Sequence, residues 1–179
     1  MPDKLNDDLR QLFQSKEVND FLIDDNRFIG LMENDDLGEE DFYRETHLAL
    51  LCLYTTGMYL PEVELKYSGN EDFYDNTKLF QNQNQVNISH KLGKHSIYYE
   101  VFNPIHPEKD EPTQGWLVDD YADIYRDIKI ELEKIKIGTN EAVEDALWQL
   151  KFSLEHHWGN HCIDALRALH YLKYDSYGF

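Results

Sequence analysis

From Glu141 to Leu172 apolar residues recur at the helical period almost without a gap: Val143, Leu147, Leu150, Leu154, Trp158, Cys162, Leu166 and Leu169, with Lys173 at the exposed end. As one helix this stretch would run ~48 Å at ~1.5 Å per residue. A compact globule of 179 residues is only about 40 Å across, from a radius of gyration near ~16 Å. The helix must therefore kink or break, and Gly159-Asn160 is the weakest point in it.

Upstream, Leu117, Tyr121, Ile124, Ile128, Leu132 and Ile135 keep the same period. Gly138 is placed as a left-handed terminator, with Thr139 or Asn140 as the next N-cap. So short a connection makes these two segments an antiparallel helical hairpin. Glu17 to Met32 carries a further stripe: Val18, Phe21, Leu22, Phe28, Ile29 and Met32. A helix starting near Glu39 is apolar on nearly every face from Leu48 to Tyr54, which predicts a buried central helix closed by Pro61. Residues 62–76 read as irregular, and residues 77–92 as a weaker helix with Leu79, Phe80, Gln83, Val86 and His90 on one face. Ile97 to Phe102 has strand composition, but with no second convincing strand to pair it the expectation is a helical turn.

The fold class expected is thus all-α: an irregular bundle of about five helices with a long, kinked C-terminal helical region. Residues 1–15 form an acidic arm, 16–173 a single bundle domain and 174–179 a tail. Of the chain's charge, residues 1–45 hold 14 acids and 5 bases, a net of −9 out of −18 overall. That balance argues against binding nucleic-acid phosphates or anionic lipid. No apolar run reaches the ~20 residues of a membrane helix, and the first residues carry no signal-like apolar stretch. Two cysteines, Cys52 and Cys162, sit in helical apolar patterns and make no zinc motif. They are expected as reduced thiols in a cytoplasmic protein.

Several segments resemble one bacterial family. They are Leu117-Val118-Asp119-Asp120-Tyr121-Ala122-Asp123-Ile124-Tyr125-Arg126-Asp127, Asp145-Ala146-Leu147-Trp148, Phe152, Trp158-Gly159 and Ala165-Leu166-Arg167-Ala168-Leu169-His170. The family is domain of unknown function 5063, of Bacteroides-like bacteria. The resemblance covers Ile88 to Leu172 and, more weakly, Phe42 to Pro61. It implies a small all-helical cytoplasmic domain and gives no residue a catalytic role.

Tested against known chemistry, the chain is mostly empty. None of its eight histidines has an acid three positions earlier, which excludes the usual di-iron bundle site. It has no phosphate loop, dinucleotide fingerprint, nucleophile elbow or His-Glu-x-x-His. Cys162 beside His161 points in a different direction on a helix and makes no nucleophile pair. No catalytic residue and no cofactor is assigned.

Three features remain. Asp119, Asp123 and Asp127 stand at i, i+4 and i+8, widened by Asp120 and Glu131. This stripe is either a solvated face or the edge that meets a basic partner, and one of its aspartates is expected to pair with Arg167. Tyr121, Tyr125, Trp148, Trp158, Arg167 and His170 are either core anchors with an ion pair and a helix cap, or the lining of a ligand pocket. His157 and His161 are one helical turn apart, a spacing that packs on a polar face or chelates a metal, the third ligand then coming from His47, His170 or an aspartate. The leading expectation is a non-enzymatic interaction or regulatory module whose acidic surface meets a protein partner. The alternative is a helical protein that binds metal or a small ligand through His and Asp.

Overall fold

The computed structural model describes residues 4–68, 83–101, 105 and 111–174, with the backbone alone over 83–87. Its helices follow the apolar periods. They are α1 (Asp7–Phe13), α2 (Lys16–Glu33), α3 (Glu39–Met58), α4 (Gln83–Leu92), α5 (Leu117–Ile137), α6 (Asn140–His156) and α7 (Trp158–Tyr174). Ser15 caps α2 by accepting from the Val18 N–H, and Thr139 caps α6 by accepting from Ala142. Gly138 ends α5 at φ 74°. Residues 69–82 and 175–179 lie outside the described residues, and with them the first six residues of the weak helix expected at 77–92, of which 83–92 is α4.

One element departs from the expected class. Ile97–Glu100 is a strand, β1, and it pairs antiparallel with β2, Thr113–Trp116, in the register Ile97↔Trp116 to Glu100↔Thr113. The expected helical turn is therefore corrected to a two-stranded ribbon. The partner strand, Thr-Gln-Gly-Trp, shows no apolar alternation because three of its four residues face solvent. Gly115 is required there: a Cβ would overlap the ring of Tyr98, its paired residue.

The center of the bundle is α5, which packs on α2, α4, α6, α7 and β2. The Leu48–Tyr54 stretch of α3 is not buried all round. Ala49, Leu50 and Leu53 are fully buried, while Leu48 and Leu51 are each 46% exposed. A run apolar on every face is, in this molecule, an inner face plus an outer one. The acidic arm is docked through Leu5 and Leu9, both buried in the core, and through Asp8, which accepts from Tyr67 and Lys66. Both cysteines are free. Among the described residues no helix is long and apolar enough to cross a membrane.

The C-terminal helical region does break, two residues before the expected point. His157 leaves helical geometry at φ −143°, ψ −85°, between α6 and α7. Gly159 follows because a Cβ there would run into the backbone carbonyl of Leu154. Trp158 then turns into the core, fully buried, its Nε1–H donating to the Leu150 carbonyl at 3.1 Å.

Candidate metal centre

The break decides the geometry of the histidine pair. Because the chain bends at His157 and not at Gly159, His157 leads directly into the first turn of α7. The His161 N–H reaches back to the His157 carbonyl at 3.4 Å. The i, i+4 relation read from sequence is thus kept, and the two imidazoles lie with centroids 4.9 Å apart.

Facing them is α5. His157 Nδ1 lies 2.6 Å from Asp127 Oδ2, which also accepts from the Ser153 hydroxyl at 2.6 Å. His161 Nδ1 lies 2.8 Å from Asp120 Oδ1, whose other oxygen accepts from the Tyr98 hydroxyl at 2.8 Å. With a carboxylate on each Nδ1, the proton of each neutral ring sits there and Nε2 carries the lone pair. His161 Nε2 is 3.4 Å from Asp123 Oδ2. Asp123 Oδ1 is held by Arg126 at 2.6 Å. One ligand atom from each of Asp123, His157 and His161 lies within 4.8 Å of the other two.

The electrostatics follow from this crowding. The hydrogen bond to Asp120, with the negative charge of Asp120, Asp123 and Asp119, raises the pKa of His161 against the cost of its burial. Without a cation, a proton on His161 is the charge that holds two aspartates together. Asp164, one turn further along α7, is pushed up to about 6 by burial and by the charges of Asp120 and Glu100.

The carboxylate stripe is accordingly not one solvated row. Asp119 is exposed, while the side chains of Asp123 and Asp127 are 16% and 18% exposed and are engaged by Arg126 and the histidines. The expected pairing of the stripe with Arg167 is corrected: Arg167 pairs with Glu100 of β1. The aromatic set is dispersed. Tyr121 is core, bonded to Thr46 at 2.9 Å and packed on Phe28 and Phe42. Tyr125 is core and donates to Glu33. Trp158 is core, Trp148 stacks on Phe152 at 4.8 Å, and His170 is exposed against Tyr171 and Tyr174. Of that set Arg167 lines a cavity of about 310 Å³ between β1 and α7. A second cavity of about 220 Å³ lies beside His47. Asp120 and Tyr98 are the positioning groups sequence reasoning did not assign, since their roles depend on the β1–β2 ribbon.

Compared with known proteins, the chain matches none of the curated ones. It is similar in structure to protein BF1032 from Bacteroides fragilis, known from a crystal structure, with a TM-score of 0.76 and 24% identity over 92% of this chain and 97% of that one. That likeness shows the fold. The profile of the family described as domain of unknown function DUF5063 matches residues 13–175, nearly the whole chain, and the chain belongs to that family.

Proposed function

We propose that this chain is a metal-binding helical domain that takes one divalent transition-metal ion on His157, His161 and Asp123. The observation that carries the reading is the pair of imidazoles whose Nδ1 atoms are both occupied by aspartates, leaving Nε2 for a cation. Two ligands about 2.0–2.1 Å from a zinc ion at a tetrahedral angle stand about 3.4 Å apart. His161 Nε2 and Asp123 Oδ2 have that separation, 3.4 Å. Two imidazoles and a carboxylate suit zinc or iron(II) better than calcium or magnesium. Three protein ligands leave at least one position for water or a small ligand. A cation also relieves the mutual repulsion of Asp120, Asp123 and Asp127.

The test is metal content and calorimetry on untagged protein stripped with chelator and titrated with zinc(II), manganese(II) and iron(II). One equivalent of zinc or iron is expected, and His157→Ala with His161→Ala removes it. No stoichiometric uptake, or uptake that survives both replacements, refutes the site.

A second reading, an interaction module with an acidic surface, draws on the net charge of −18 and on exposed acids at the α2–α3 turn, Asp35, Asp36, Glu39 and Glu40. It calls for a partner lost when these four become amides. The two free thiols fit a reducing cytoplasm.

A further inference from the structure

The cavity between β1 and α7 is separate from the metal ligands and has its own chemistry. Its volume, about 310 Å³, is at the lower end of the range for small-molecule pockets, about 300–1,000 Å³. Tyr99, Tyr171 and Leu172 give it apolar walls, and Ala168 leaves room at its base. Two charged groups meet on its lining. Glu100 is buried, and its Oε1 accepts from the Arg167 guanidinium and from the Val101 N–H at 3.0 Å. Among the described residues Oε2 makes no hydrogen bond, yet it is not one of the polar atoms sealed from solvent. Among the described residues Arg167 is bonded through Nη1 alone, and its side chain is 53% exposed, which leaves its other N–H donors available there.

The sign of charge selects the ligand. A bare anion would meet Arg167 but also Glu100 and the neighboring Asp164. A bare cation would compete with Arg167 for Glu100. A zwitterion adds no net charge and uses both groups: its carboxylate takes the free edge of the guanidinium and its ammonium takes Oε2. The two functions must be close together, because Glu100 and Arg167 are in contact. We propose that this cavity binds a free α-amino acid with an apolar side chain, its head group held by Arg167 and Glu100 and its side chain against Tyr99, Tyr171 and Leu172. A charge-assisted hydrogen bond at each end makes the loss of either one costly.

The test uses the full chain in chelator, so that it is independent of the metal site. Backbone amide spectra are recorded while L-phenylalanine and L-leucine are titrated in, beside two half-ligands, 3-phenylpropionate and 2-phenylethylamine. Saturable shifts are expected at Tyr98–Val101 and Arg167–Leu172. Each half-ligand should bind about tenfold or more weakly than phenylalanine. Arg167→Met should remove the advantage of phenylalanine over phenylethylamine. Ala168→Trp, which fills the cavity, should abolish binding while leaving a dispersed spectrum; if that variant fails to fold, Arg167→Met carries the test. Three results overturn the proposal: no saturable shift at these amides up to the solubility of either amino acid, a half-ligand as good as the zwitterion, or saturable shifts confined to another surface.

Discussion

Asp25 is the one residue in the described core whose polar group has been left alone. It lies in α2 on the face that carries Phe21, Phe28 and Ile29. It is fully buried, and neither carboxyl oxygen has a hydrogen-bond partner. Burial drives its pKa well above the usual carboxylate value, with only partial relief from the charge of Lys129. An ionized carboxyl without partners is among the costliest things a core can hold. Asp25→Asn keeps the shape and removes the charge. It should stabilize the fold at pH 8 by about 1–3 kcal/mol, with the gain shrinking as the pH falls and the wild-type carboxyl takes its proton. Urea unfolding at pH 8 and pH 5 measures both numbers, and a gain that is equal at the two pH values would show that Asp25 binds no more protons folded than unfolded over this range, against the raised pKa. The contrast with Asp120 is instructive. Asp120 is nearly as buried, but it receives Tyr98 and His161, so two donors offset part of a burial that still raises its pKa.

At the scale of elements, the junction of α6 and α7 does most to build the candidate metal centre. His157 must leave the helix so that Trp158 can enter the core, and Gly159 must lack a side chain so that α7 can start against the Leu154 carbonyl. Gly159→Ala gains a little helix propensity, about 1 kcal/mol. Against this it sets a backbone collision whose relief shifts the first turn of α7, and the net should be a loss of about 2–3 kcal/mol. The loss is read as a fall in urea midpoint, and zinc affinity should drop with it because His157 and His161 ride on that turn. Retained stability would mean the junction absorbs a methyl group freely. The same junction shows how far sequence reaches. The helical period of residues 141–172 fixes a helix too long for the globule, and the break follows from size alone. Its position does not, because the carbonyl that Gly159 must clear belongs to the preceding helix. The i, i+4 spacing of His157 and His161 is visible in the chain, whereas Asp123 as the third group depends on how α5 lies across α7. Thr113–Trp116 was invisible as a strand for a related reason: its residues face solvent, so only the pairing with β1 defines it.

For the molecule as a whole, pH should act in opposite directions on the metal-free and metal-bound states. Burial raises Asp25, Asp120, Asp164 (to about 6) and Glu131 (to about 8), and the hydrogen bond to Asp120 raises His161. A group raised in the folded state contributes stability that is full below its unfolded value and is lost as pH climbs through the folded one. These five therefore make the metal-free protein less stable from pH 5 toward pH 8. Three carboxylates work the other way, among them Asp8, held low by the Tyr67 hydroxyl. Despite burial, Glu144 is held low by the N–H groups of Ser68, Lys66 and Tyr67, and Glu33 by Lys129 and Tyr125. Their contribution is present above about 4.5 and lost as pH falls through their folded values. His47, lowered by burial, also favors higher pH. The five raised groups outnumber it between pH 5 and 8, so the melting temperature without metal should already be falling at about pH 5 and continue to fall toward pH 8. Bound metal changes the slope. It needs the lone pair of His161 Nε2, which a proton occupies below the raised pKa, so the metal must displace that proton. The rise in melting temperature produced by excess zinc should be small at pH 5.5 and grow toward pH 8, where the metal-free protein is weakest. Scans with chelator and with zinc at four pH values across this range separate the two curves. A zinc effect independent of pH would place the ion on groups other than His157 and His161, whatever its stoichiometry.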